Sequence, residues 1–133
     1  MTGRRLSGWL PVVLWTLLIF LLSSRPYTAY FSDLEGSSHR IFQRYLQYPV
    51  HVAEYGALAL LWVRALIRHS AARQWVAWAT LGAVLLTALA DESIQHLVPT
   101  RSFAFRDLLM DGTGGILAVT VSRWVFPISS SRG

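Results

Sequence analysis

Four long apolar stretches, with their charges gathered at the ends, restrict this chain more than any other feature. The first, Leu6 to Ser24, holds no charged residue and lies directly behind Arg4 and Arg5. About 20 such residues in a helix span the roughly 30 Å hydrocarbon layer of a bilayer. A second run starts after Pro49 and reaches Ile67; it carries His51 and Glu54 near its start and Arg64 near its end. The third is clean from Trp75 to Ala90 and continues unbroken through Asp91, Glu92, Gln95 and His96 until Pro99. The fourth extends from Asp107 to Phe126, with Gly112, Gly114 and Gly115 early in it. The first run is longer than the apolar core of a cleaved signal peptide. Ser-Ser-Arg-Pro-Tyr follows it in place of a small-x-small cleavage site, so it reads as an uncleaved helix.

The expected architecture is therefore all-α: a four-helix transmembrane bundle with helices at about 6–24, 50–67, 75–97 and 107–126. The whole chain, 1–133, forms one membrane domain. Between the first two helices, Pro26, Gly36, Ser37 and Ser38 break the apolar pattern. Ile41, Phe42, Tyr45 and Leu46 then recur at helical spacing, which predicts a short interfacial helix on the membrane surface.

Composition agrees with this solvent. Of the 133 residues, 53% are hydrophobic and 14% charged, a richer apolar content than in ordinary soluble domains. The net charge of +5 comes from arginines at the ends of apolar runs, not from one basic stripe, which argues against a nucleic-acid partner. With no cysteine there is no disulfide, thiolate nucleophile or zinc-thiolate site. The tryptophans Trp9, Trp15, Trp62, Trp75, Trp78 and Trp124 suit an interfacial belt in contact with lipid.

Arginines beside the helix ends set an orientation. With the N-terminus inside, Arg4, Arg5, Arg64, Arg68, Arg73, Arg123 and Arg132 face the cytoplasm; Arg25, Arg40, Arg44, Arg101 and Arg106 face out. The short connection carrying Arg68 and Arg73 weighs most, since short loops follow the positive-inside rule best. The expectation is a multi-pass protein of the cell membrane with both termini in the cytoplasm.

An even number of crossings has a chemical consequence. His51, Glu54, Asp91, Glu92, Gln95, Asp107 and Asp111 then all fall within a few turns of one membrane face. Residues three or four apart share a side of a helix. His51, Glu54 and Tyr55 make one polar face, Asp91 or Glu92 with Gln95 a second, and Asp107 with Asp111 a third. Ionised groups are costly in lipid, so they turn inward and find partners. Arg101 and Arg106, between the third and fourth helices, are the nearest cations in sequence, and Ser23, Ser24 and Arg25 can close the ring. The candidate site is thus Ser24, Arg25, His51, Glu54, Tyr55, Asp91, Glu92, Gln95, Arg101, Asp107 and Asp111. A plain structural reading is also open, in which these residues form a polar cap that fixes helix register. The number of acids on so short a chain favours the functional one. His39, His69 and His96 read as surface residues.

Ser23-Ser24-Arg25-Pro26, His51 with Tyr55, Asp91-Glu92-x-x-Gln95, Pro99-Thr100-Arg101-Ser102 and Asp107-x-x-x-Asp111-x-x-Gly114 together resemble the VanZ-like family. The resemblance covers nearly the whole chain. It departs at Gln47 and Tyr48, where the family often has an Asp-Lys pair, and at Asp111, where asparagine is common. It implies an accessory membrane protein of glycopeptide resistance, associated with teicoplanin more than vancomycin, and it specifies no reaction.

Three functions fit. In the first, the outer cluster binds an amphiphile, either a lipid-linked cell-wall precursor or a lipoglycopeptide, with Arg25, Arg101 and Arg106 meeting phosphate or carboxylate. The second is an intramembrane enzyme acting on a lipid headgroup. There Glu54, Asp91, Glu92, Asp107 and Asp111 would ligate a divalent cation, Mg²⁺ or Mn²⁺, or act as acid and base. The third, an ion-coupled exporter, fits less well because coupling acids belong near the midplane.

Overall fold

A computed structural model describes residues 2–25, 45, 47–68, 73–99 and 103–126, with side chains of the first helix from Ser7 onward. Of the proposed interfacial helix only the exposed Tyr45 is described, with Ile41, Phe42 and Leu46 outside these residues, as is Arg101. Among the described residues all regular structure is helical: α1 (Thr2–Ser23), α2 (Gln47–Ile67), α3 (Arg73–Leu97) and α4 (Phe105–Val125).

The helix starts differ from the sequence reading for local reasons. α2 begins at Gln47, so Pro49 occupies the first turn, where a missing N–H leaves no helical bond unmade. α4 begins at Phe105 with Ala104 as its extended N-cap residue and no side-chain cap of its own. Its cap comes from another helix: the Ala104 N–H donates to Glu92 Oε2 at 2.8 Å.

Helix α2 is central and touches the other three, most extensively α4. Gly114 makes that closeness possible. A Cβ there would run into the Val52 carbonyl oxygen and lie 3.0 Å from the Gly56 nitrogen. Gly115 performs the same service towards α3, where a Cβ would sit 3.0 Å from Val84 Cγ1. Gly112, in contrast, faces open space. The apolar core is small, built around Ile19, Tyr55, Leu58, Ala59, Val84, Ala88 and Ala118.

Burial runs opposite to that of a water-soluble bundle. Asp91, Glu92 and Asp111 are at most 1% exposed, whereas Leu86 and Trp78 are 70% and 71% exposed. Leu10, Leu14, Leu17 and Leu21 line an open face of α1, and Ile116 and Leu117 one of α4. Two of the helical segments, Gln47–Ile67 and Gln74–Leu97, are long and apolar enough to cross a membrane. The described apolar part of α1 is shorter, Ser7–Ser23. α4 carries Arg106, Asp107, Asp111 and Arg123 among its apolar residues. Among the described residues, two of the four expected spans therefore meet the length and composition needed to cross.

The tryptophans divide. Trp75, Trp78 and Trp124 are exposed, as a lipid-facing belt requires. Trp9, Trp15 and Trp62 instead pack against the core. Trp9 and Trp62 meet edge to face with centroids 5.0 Å apart, and the Trp15 indole N–H donates to the Glu54 carbonyl at 3.0 Å.

Candidate functional site

Each helix delivers polar side chains to the same end of the bundle. On α2, Gln47, His51 and Tyr55 stand four residues apart, one above the other on the face turned to α4 and α3. On α4, Asp107 and Asp111 share the same spacing. The two rows interlock: Gln47 Nε2 donates to Asp107 Oδ2 at 2.9 Å, and His51 Nδ1 is bonded to Asp111 Oδ1 at 2.8 Å. The other ring nitrogen, Nε2, stands 3.8 Å from Asp107 Oδ2. One imidazole is therefore held between two carboxylates, with its side chain 12% exposed and Asp111 fully buried.

A second knot joins α3 to α1. Gln95 Nε2 donates to Asp91 Oδ2 at 2.9 Å, one turn back on its own helix, and reaches Ser23 Oγ at 3.3 Å. The Tyr55 phenol enters this knot from α2 and lies beside Asp91. Glu92 links the two knots: while Oε2 caps α4, its carboxylate lies within the electrostatic field of Asp107, Asp111 and His51.

Several of these groups are orphaned. Asp91 Oδ1, Glu92 Oε1, Asp111 Oδ2 and the Tyr55 hydroxyl are buried and make no hydrogen bond among the described residues. Buried polar atoms are normally paired, because an unpaired one costs about 1–3 kcal/mol. Four orphans in one cluster are three carboxylate oxygens, which accept only, and one hydroxyl, which can donate or accept. The arrangement suits a group bearing several hydrogen-bond donors.

The structure brings together His51, Tyr55, Asp91, Glu92, Gln95, Asp107 and Asp111. Glu54 is half-buried at their margin, in the field of His51 and Tyr55. Ser24 does not join them: it is exposed and bonds back to the Leu21 carbonyl at 2.9 Å, while Ser23 takes the inward place. Arg25 and Arg106 are exposed at the same end, and among the described residues the base that meets Asp107 and Asp111 is His51. Sequence reasoning missed Gln47 as a partner of the site. Its position four residues before His51 was the available signal, obscured by Pro49, which suggested a later helix start. Among the described residues no group of three or more His, Asp or Glu side chains is placed to hold a metal ion.

Apart from Gln47, the residues in contact here belong to the sequence signature: Ser23, His51 with Tyr55, Asp91-Glu92 with Gln95, and Asp107 with Asp111 and Gly114. The model of the VanZ/LLP1 family matches residues 9–126, which includes every one of them. The chain belongs to the VanZ/LLP1 family. Comparisons with curated proteins and with solved structures give no match. In this VanZ-family chain the signature residues described come from all four helices, and the fold brings into contact polar residues that are far apart in sequence. Gly114 belongs to the same signature for a steric reason, since it lets Asp111 approach His51.

Proposed function

We propose that this VanZ-family protein crosses the cell membrane four times, with both termini in the cytoplasm. Its carboxylate-histidine cluster, on the outer side, binds the polar head of an amphiphilic cell-envelope molecule and so contributes to glycopeptide resistance. The ligand is a lipid-linked wall precursor or a lipoglycopeptide such as teicoplanin. The exposed leucines of α1 and the exposed Ile116 and Leu117 of α4 support lipid contact by the two helices that fall short on length or composition.

One observation carries the binding reading: four buried polar atoms, contributed by α2, α3 and α4, that make no hydrogen bond among the described residues. Capping the helices requires only the Glu92 contact to Ala104. The remaining acceptors match the amide, hydroxyl and ammonium donors of a glycopeptide or a peptidyl lipid head. Arg25 and Arg106, exposed at that end, would meet its phosphate or carboxylate, together with Arg101, which lies outside the described residues. The test is recovery of labelled lipid-linked precursor, and separately of labelled teicoplanin, on the purified chain. Asp91→Asn, Asp111→Asn and Arg106→Ala should each lower recovery; wild-type recovery by all three rejects the reading.

The His51 geometry favours a second reading, an acid-base enzyme acting on a lipid headgroup. A carboxylate bonded to one imidazole nitrogen fixes the ring and leaves the other nitrogen to exchange a proton with a substrate. Here Asp111 holds Nδ1 at 2.8 Å, and Nε2 faces Asp107 Oδ2 at 3.8 Å, beyond hydrogen-bonding distance. Incubation with lipid-linked precursors followed by mass analysis distinguishes the two: a product that His51→Gln abolishes establishes catalysis, and unchanged precursor leaves binding alone.

A further inference from the structure

The end of the bundle opposite the carboxylates holds a groove of about 760 Å³, within the range of small-molecule sites. Val63 and Ile67 of α2, Ala77 of α3 and Val119 of α4 form its apolar walls, with Phe126 at its end. Arg123 and Gln74 supply the polar rim. α3 and α4 are locked together at Gly115 and Val84. Beyond that contact Trp78 and Trp124 turn outward, 71% and 85% exposed, and small side chains such as Ala77 and Ser122 leave the space between the helices unfilled.

Charge identifies the occupant. All acids of the described residues, Glu54, Asp91, Glu92, Asp107 and Asp111, belong to the other end. Here the described charges are Arg64, Arg68 and Arg123. A second copy of the chain would bring the same arginines to the contact and be repelled. An amphiphile with an anionic head is attracted.

On the reading that the chain spans the membrane with this end in the cytoplasm, we propose that the groove is a specific site for an anionic phospholipid of the inner leaflet. One acyl chain lies along Val63, Ala77 and Val119, and the phosphate pairs with the Arg123 guanidinium, whose planar fork suits bidentate contact. The exposed Trp124 indole stands beside it at headgroup level. The site is separate from the carboxylate cluster and binds lipid whatever the cluster binds.

The full chain in mild detergent is equilibrated with vesicles of phosphatidylglycerol or of phosphatidylcholine, re-isolated, and its retained lipid measured by native mass spectrometry. Wild type should keep phosphatidylglycerol in preference. Arg123→Gln, at an exposed position, should lower phosphatidylglycerol retention by about fivefold, the factor one interfacial arginine supplies, and leave phosphatidylcholine unchanged. Ala77→Phe, or Thr120→Phe at another position lining the groove if that variant loses helicity, should lower retention of both by filling the groove. Equal retention of the two lipids by wild type, or unchanged phosphatidylglycerol in either class of variant, overturns the proposal. Alkaline carbonate extraction reads the membrane assignment independently. A chain released to the supernatant removes that assignment and this site with it, whereas a chain retained in membranes with no lipid preference removes only the site.

Discussion

His51 Nδ1 and Asp111 Oδ1 lie 2.8 Å apart although 60 residues of chain separate them, and this bond, beside the one from Gln47 to Asp107, ties α2 to α4 at the polar end of the bundle. The pair is buried on the aspartate side and opens towards Asp107 on the other. Removing either member leaves the other with an unpaired buried group. A double-mutant cycle with His51→Gln and Asp111→Asn, read by thermal unfolding in detergent, should return a coupling energy of about 0.5–3 kcal/mol. Additive effects of the two substitutions would mean that the bond does not form.

Gly114→Ala should be the most damaging small substitution in α4. The added methyl meets the Val52 carbonyl, which is backbone and cannot turn aside, so the helices must separate. Overpacking of this kind costs about 1–3 kcal/mol. Gly112→Ala is the control, because a Cβ there has nothing near it, and should leave thermal stability unchanged or slightly higher. Equal melting temperatures for the two variants would contradict the close approach of α2 and α4.

Glu92 should tolerate an amide and not a methyl. Glu92→Gln keeps a carbonyl oxygen for the Ala104 N–H, whereas Glu92→Ala leaves the first turn of α4 uncapped, at about 1 kcal/mol. Hydrogen exchange at residues 104–108 reads this directly. It should quicken in Glu92→Ala and stay near wild type in Glu92→Gln; the reverse order would rule out the cap.

Tyr55→Phe separates a binding role from a structural one. The hydroxyl is buried with the Asp91 carboxylate beside it and no well-formed hydrogen bond among the described residues, so its removal should leave thermal stability near wild type. If the cluster binds a polar head, recovery of the lipid-linked precursor should fall in the same variant. A marked loss of stability with undiminished recovery would assign the hydroxyl to the fold alone.

Orientation is open to labelling because the chain has no native cysteine. His96→Cys and Gln74→Cys place single thiols at exposed positions near the two ends of α3. A membrane-impermeant maleimide should label Cys at 96 in intact cells and Cys at 74 only after permeabilisation. The opposite result would invert the topology, and labelling of both from outside would deny that α3 crosses.

Much of this protein is written locally. Apolar runs bounded by arginine, proline and glycine define α1 to α4 to within a few residues, because helix formation and partition from water depend on near neighbours in the chain. The spacing of Asp91 with Gln95 and of Asp107 with Asp111 places each pair on one helix face before any fold is known. Which face meets which neighbour is not local. That Ser23 turns inward and Ser24 outward depends on how α1 leans on α3. Gln47 becomes a partner of Asp107 because Pro49 is accepted in a first turn, and Glu92 caps a helix other than its own. The pairing of His51 with Asp111 rests on a glycine's missing side chain three residues further along α4. Packing between helices decides these contacts, and the groove beside Arg123 arises the same way, from small side chains on different helices that fail to fill the space between them.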